Sequence, residues 1–291
     1  MDATSFAVIG GDKRNIYLSN MLEKDGNDVR RFGFDRCFFE RIPERANIYE
    51  AIEGAQYIIG PTPCSGNNLN LNAVYSSFPI LIEDLFRLIK PTQTFFAGHV
   101  KEDIAELAKK HEVNCVDMLL WEELARLNAI PTAEGAIKIA MENTEFTLHS
   151  SNVMVVGYGR IGTILCKMLA GIGARVYPVV LTREEAAVAR GFGYSPVLYE
   201  AMDECLCGMD VIFNTVPKVL FDKRNIKLIS RDGLFVDVSS VPHGINSGAA
   251  KKAGVRVLFS GSLPGAVAPM SAAKYMRESI CHYIECLKGG G

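Results

Sequence analysis

The chain has a single tryptophan, and its Lys+Arg total of 31 is almost matched by 33 Asp+Glu, for a formal net charge of -2. A nucleic-acid-binding face leaves a basic excess or a Lys/Arg stripe, so nucleic acid is excluded as the main partner. No apolar run approaches the roughly 20 residues of a membrane span. The opening residues, MDATSFAVIGG, hold an acid and a short apolar run where a secretory signal needs a basic flank and a longer apolar stretch. The eight cysteines are scattered without a Cys-x-x-Cys pair. Neither Cys205 with Cys207 nor Cys281 with Cys286 has companions to complete a tetrahedral site, so no metal is expected. Free thiols agree with a reducing compartment, and the chain reads as cytoplasmic. What is present is 291 residues, 48% hydrophobic and 22% charged, enough for two domains with a core each.

The most informative stretch is VMVVGYGRIG, from Val153 to Gly162. Val153 to Val156 read as a buried strand, Gly157, Gly159 and Gly162 follow at G-x-G-x-x-G spacing, and an apolar helix begins. In such a turn the first glycine makes the tight bend. The second lets backbone approach a pyrophosphate, and the third lets helix and strand pack closely. Arg160 and Ile161 lie at the helix start, whose unpaired N–H groups suit phosphate. A nicotinamide dinucleotide is the expected cofactor.

Before this turn, strands at 6–9, 28–34, 57–59 and 94–97 alternate with helical patterns, which implies a parallel sheet covered on both faces. The predicted architecture is α/β: a carboxyl-terminal Rossmann doubly wound parallel sheet behind an amino-terminal flavodoxin-like α/β domain. Ligands in such sheets sit beyond the carboxyl ends of strands, where the Gly10 turn, the Pro61 to Asn67 loop and Gly98-His99 fall. Arg14, Thr62, Ser65 and Asn67 would suit a carboxylate there, although Ser, Asn and Pro are equally ordinary turn residues. A helix is predicted over 118–128, broken at Pro131, with Thr132 capping a second helix. The boundary is placed here, giving domains 1–120 and 121–291, with a last helix at 271–287 packing back across the junction.

After the glycine turn, residues 174–181 form the second strand of the nucleotide unit. An NAD site places Asp or Glu near this strand's end for the ribose 2′-hydroxyl. Here the tip reads Val180-Leu181-Thr182-Arg183, and Glu184 and Glu185 are assigned to the next helix. Thr182 and Arg183 would hold a 2′-phosphate, so NADP is preferred, with NAD also possible. Asn214, Thr215, Val216 and Pro217 follow the fourth strand, where a nicotinamide ribose would lie. The 261–269 segment is rich in Gly and Pro and is expected to be irregular.

This layout resembles the D-2-hydroxyacid dehydrogenases. That family carries an Arg in an N-x-x-R-G-like segment and a His in a P-H segment. The corresponding positions here read Asp237-Val238-Ser239-Ser240-Val241 and Ser262-Leu263-Pro264-Gly265, lacking both. The 2-hydroxyacid reaction is therefore not expected. A closer resemblance is to the A subunits of dipicolinate synthase. It rests on AVIGGDKR (Ala7 to Arg14), NAIPTAEG (Asn128 to Gly135), TLHSSNVMVVGYGRIG (Thr147 to Gly162), NTVP (Asn214 to Pro217) and LPGAVAP (Leu263 to Pro269), in that order. The resemblance implies oxidation of dihydrodipicolinate, or its hydroxylated precursor, to dipicolinate. It also implies a partner, the flavoprotein-like B subunit of dipicolinate synthase, in the mother cell of a sporulating bacterium. A homo-oligomer is also expected.

A dianionic substrate needs donors at both carboxylates. Arg14, Thr62, Ser65 and Asn67 are the candidates from the first domain, and Thr132, Leu263, Pro264 and Gly265 from the second. The candidate general bases are His99 and His243. Two other readings compete: a non-catalytic NADP-binding protein whose partner does the redox chemistry, and an oxidoreductase acting on another carboxylate.

Overall fold

A computed structural model of the chain describes residues 4–289. The backbone divides into two compact units, one running to Leu127 and resuming at Ala268, the other covering Asn128–Val267.

The first unit opens with β1 (Ser5–Ile9), whose Phe6 to Ile9 are all buried. Asp12 then caps α1 (Lys13–Lys24), its carboxylate accepting from the Arg14 N–H. There follow β2 (Asp28–Phe32), α2 (Ile48–Ile52), β3 (Tyr57–Ile59), α3 (Ile82–Leu88), β4 (Thr94–Ala97), α4 (Glu102–Lys110) and β5 (Asn114–Asp117). All pairs are parallel and the order is β2-β1-β3-β4-β5. This is the flavodoxin-like arrangement, with its change of winding direction between β1 and β3. β5 has no counterpart in the sequence reading, because Asn114 to Asp117 offers only two apolar positions between polar ones.

α5 (Glu122–Glu142) is one continuous helix with Pro131 inside it. The expected break and the Thr132 cap are therefore corrected. Proline costs about 3 kcal/mol in a helix interior. Ala129, Ala133, Ala136 and Ala140 are all buried along the same helix, and that burial holds it together. Thr132 Oγ1 donates back to the Asn128 carbonyl at 2.7 Å, a mid-helix bond rather than a cap.

The second unit contains β6 (Asn152–Val156), α6 (Arg160–Ile172), β7 (Arg175–Val180), α7 (Arg183–Gly191), β8 (Val197–Leu198), α8 (Met202–Cys205), β9 (Val211–Asn214), β10 (Leu234–Asp237), α9 (Ser247–Ala253) and β11 (Arg256–Phe259). Its six-stranded parallel sheet runs β11-β10-β9-β6-β7-β8, the doubly wound order of dinucleotide-binding domains. Val153, Val155 and Phe213 face one core layer and Met154, Val156 and Ile212 the other. Both sheet faces are thus covered, which is why these strands read as continuous apolar runs.

The 261–269 segment is corrected too: residues Leu263–Val267 form α10 and Pro269–Gly289 form α11. Leu263 is buried against Gly135 of α5, so its apolar side chain fixes a helical turn that the Gly and Pro content had argued against. α11 groups with the first unit. Its Ala273, Met276, Ile280 and Ile284 pack with Ile16, Leu18 and Leu22 of α1, and Arg277 pairs with Asp25.

Candidate dinucleotide and carboxylate sites

In the second unit the chain leaves β6 through Gly157 at φ +96, a conformation that side chains rarely adopt. A Cβ there would also come within 2.6 Å of Thr215 Oγ1, which itself donates to the Val156 carbonyl. At Gly162 a Cβ would overlap the carbonyl oxygen of Gly157. The glycine spacing is thus a packing requirement: helix α6 can start this close to β6 only without a side chain at 162. Gly159 is exposed, with nothing near its missing Cβ, and its position as N-cap leaves no side chain over the first amides of α6. Arg160 is exposed and Ile161 half-buried in the first turn.

Beside this turn is a cavity of about 440 Å³ bordered by Tyr158, Val179, Leu181, Glu185, Val216 and Lys218, among others. Glycine turn, helix amides and an apolar-walled cavity fit a dinucleotide, the pyrophosphate at the amides and the adenosine in the cavity. The β7 tip differs from the sequence reading. Thr182 accepts from the Glu185 N–H through Oγ1 at 3.2 Å and caps α7, while Glu185 reaches back to accept from the Leu181 N–H at 2.8 Å. A carboxylate therefore does stand at the strand end, delivered from the helix by a capping box. The T-x-x-E spacing of Thr182 and Glu185 was the signal for it. Arg183 is exposed in the first turn of α7 and does not border the cavity.

At the ends of β9 and β10 lies a buried polar cluster that the sequence reading did not assemble. Asp237 is wholly buried, and its carboxylate accepts from the Ser239 N–H and Oγ, the Gly244 N–H and Asn214 Nδ2, at 2.6 to 3.2 Å. Asn214 also bridges to the Val216 backbone, so its role is to shape the Asn214 to Pro217 turn. His243 Nδ1 is buried, has no hydrogen-bond partner among the described residues, and lies 3.8 Å from Asp237 Oδ1. Its ring packs on Phe259 at 4.7 Å between centroids.

In the first unit, the turns after β1 and β3 meet. Arg14, only 6% exposed, pairs with Asp12 through Nε and Nη2 and also donates to the Thr62 carbonyl. Asn15 holds the Gly60 carbonyl at 3.0 Å. The Thr62 hydroxyl is buried without a partner among the described residues. Ser65 and Asn67 serve the loop itself: Ser65 Oγ donates to the Asn70 carbonyl, and Asn67 Oδ1 accepts from the Leu69 and Asn70 N–H groups. His99 is exposed at φ +54, and its backbone N–H is held by Asp117. Within the second unit, Thr132 and Leu263 are buried, and Pro264 and Gly265 are half-buried in α10.

Residues 5–119 match the family model for the N-terminal domain of the dipicolinate synthase A subunits. Residues 124–242 match that of the D-isomer specific 2-hydroxyacid dehydrogenase NAD binding domain. The dipicolinate synthase A subunit of Bacillus subtilis is 27% identical over 287 residues, 94% of this chain and 93% of that protein. The chain is a relative of the dipicolinate synthase A subunits. The crystal structure of the Bacillus subtilis protein shares the fold at a TM-score of 0.89, with 24% identity and coverage of 100% of this chain and 99% of that one. Its counterpart from Bacillus halodurans gives 0.88 at 24% identity, covering 96% and 97%. A D-lactate dehydrogenase from Sporolactobacillus gives 0.65 at 14%, covering 98% and 97%. The second unit of this dipicolinate synthase relative is thus of the dehydrogenase type that binds a nicotinamide dinucleotide. Among the described residues no helix is long and apolar enough to cross a membrane, and no group of His, Cys, Asp or Glu could hold a metal ion.

Proposed function

We propose that the chain oxidises dihydrodipicolinate, or its hydroxylated precursor, to dipicolinate, working with a flavoprotein-like B subunit. The observation that carries this is a dinucleotide cradle in a chain related along its length to dipicolinate synthase A subunits. The bound nicotinamide supplies the hydride acceptor. Both NAD and NADP serve that chemistry, and the preference for NADP read from Thr182 and Arg183 competes with the carboxylate that Glu185 brings to the same tip.

The chain's own residues bind, orient and take up a proton. Aromatising a dihydropyridine removes one hydride and one proton, and the aromatic product supplies much of the driving force. Positioning is then the protein's main task. Arg14 is the donor for a substrate carboxylate: Asp12 and the Thr62 carbonyl fix its plane through Nε and Nη2, leaving Nη1 to donate. The Thr62 hydroxyl, which has no partner among the described residues, is a second donor. Ser65 and Asn67 shape the loop that carries Thr62. Of the two histidines, His243 is the better candidate for the proton acceptor, since its ring is held against Phe259 with Nδ1 3.8 Å from the Asp237 carboxylate, whereas His99 is exposed.

The test is to incubate the purified chain with NAD or NADP and enzymatically generated dihydrodipicolinate precursor, and to follow reduced nicotinamide and dipicolinate by absorbance. Product formed without the B subunit supports catalysis by this chain. Turnover only with the partner, together with dinucleotide binding to this chain alone, would support the non-catalytic reading. Failure of dipicolinate to bind at all would favour another carboxylate substrate.

A further inference from the structure

We infer that Lys13 takes a second substrate carboxylate beside the one held by Arg14, so that the first unit selects a dicarboxylate over a monocarboxylate. Phe39 and Tyr75 form the aromatic wall between the two cations. The inference rests on the reading that Arg14 receives a substrate carboxylate.

One acid followed by two cations, Asp12, Lys13 and Arg14, stands where α1 begins. The acid is committed to Arg14: it caps the helix and is bound by Arg14 Nε and Nη2. Lys13 is exposed and has no carboxylate partner among the described residues. Its Nζ lies instead over the Phe39 ring, 5.1 Å from the centroid. The nearby acids are turned elsewhere. Glu40, next in the chain to Phe39, accepts from Asn20 Nδ2 at 2.9 Å, and Asp35 accepts from the Ser77 N–H. A ring face attracts an ammonium without neutralising it, so the Lys13 charge stays open to an anion.

Lys13 and Arg14 spring from neighbouring Cα atoms about 3.8 Å apart. Aromatic residues join the two side chains. Tyr75 packs edge-on against Phe39 at 5.6 Å between centroids. Its phenol is pushed up by burial, and further by the Cys37 thiol, the Asp12 carboxylate and Tyr17, so its hydroxyl end lies toward the Asp12–Arg14 pair. One surface thus runs from Arg14 and Asp12 across Tyr75 to Phe39 and Lys13. A cation at each end of an aromatic wall suits dipicolinate, a flat ring with a carboxylate on each side of its nitrogen. A monocarboxylate would engage Arg14 alone.

The experiment measures dissociation constants of dipicolinate and of picolinate, which lacks one carboxylate, for the full chain by calorimetry at fixed ionic strength. The native chain should bind dipicolinate the more tightly. Lys13→Gln should weaken dipicolinate roughly fivefold, the upper end for an exposed ion pair, and change picolinate by no more than about 1.5-fold. Lys13→Arg, which keeps the charge, should retain the native preference. Arg14→Lys should weaken both ligands together. Equal losses for the two ligands in Lys13→Gln, or no loss for dipicolinate, would overturn the inference alone and leave Lys13 as a surface cation on an aromatic ring. A native chain that binds neither ligand, or Arg14→Lys protein that binds both as tightly as the native chain, would overturn the reading of Arg14 and the inference with it.

Discussion

Asn214 Nδ2 sits 3.2 Å from Asp237 Oδ1, tying the ends of β9 and β10 through side chains at the point where their backbones part. Asp237 is fully buried, yet its charge is met by two N–H groups, a hydroxyl and this amide. Such a carboxylate organises the 239–244 loop, and with it His243, at a cost it recovers only while every donor is in place.

Replacing Asp237 by Asn keeps the shape but turns one acceptor into a donor among donors. Unsatisfied groups of this kind cost about 1–3 kcal/mol each. Asp237→Asn should therefore lower stability by roughly 2–3 kcal/mol in urea unfolding. His243→Gln, which leaves the carboxylate and its donors intact, should reduce turnover while its unfolding midpoint stays close to the native one. A native-like unfolding midpoint in Asp237→Asn would show that the cluster is not what holds the loop.

Arg14 offers a second test, confined to the first unit. Lysine keeps the charge but cannot span both Asp12 and the Thr62 carbonyl while presenting a further N–H. Arg14→Lys should weaken dipicolinate binding about tenfold, in line with the roughly 1.5–3 kcal/mol of a hydrogen bond to a charged group. NAD affinity in the second unit should stay within twofold. Equal dipicolinate affinities in native and Arg14→Lys protein would remove Arg14 from the substrate site.

Much of this was written in local pattern. The runs Phe6 to Ile9 and Val153 to Val156 and the glycine spacing at Gly157 announced buried strands and a nucleotide turn, because a strand buried on both faces must be apolar throughout. What stayed hidden depended on tertiary partners. Pro131 sits in an unbroken helix because its alanine neighbours are buried, and Leu263 turns helical because Gly135 gives it room. Glu185 was assigned to a helix and is in one. Its side chain, directed by Thr182, serves the strand end instead, and only the capping-box spacing hinted at that. Asp237 and His243 are six positions apart in sequence but approach each other only because cluster bonds to Ser239 and Gly244 fold the loop back.

Gly162 gives a steric prediction. Any Cβ there overlaps the Gly157 carbonyl oxygen, which belongs to backbone and cannot rotate away. Gly162→Ala must shift α6 from β6 and disturb the amides that would receive the pyrophosphate. Dinucleotide affinity should fall at least tenfold, measured by calorimetry, while dipicolinate affinity in the first unit changes little. Gly159→Ala, which meets nothing near its Cβ, should fold normally, separating a packing defect from loss of approach to the phosphates.

The thiols give a prediction across pH. Burial pushes Cys64, Cys115 and Cys166 up to about 12, whereas Cys207 and Cys286 are exposed. A thiol is neutral when protonated, so a raised folded value means the folded chain keeps protons that the unfolded chain, near 8.5, has released. Stability from this source is complete below about pH 8.5 and declines above it, by up to about 1.4 kcal/mol per pH unit for each thiol. Urea midpoints in reducing buffer should therefore fall between about pH 8.5 and 10. At about pH 8, near the ordinary thiol value, a disulfide-forming reagent should modify Cys207 and Cys286 within minutes and reach the buried Cys64 and Cys166 only on unfolding. Rapid reaction of Cys166 in the native chain would mean that α6, which buries it against β6, opens far more readily than its packing implies.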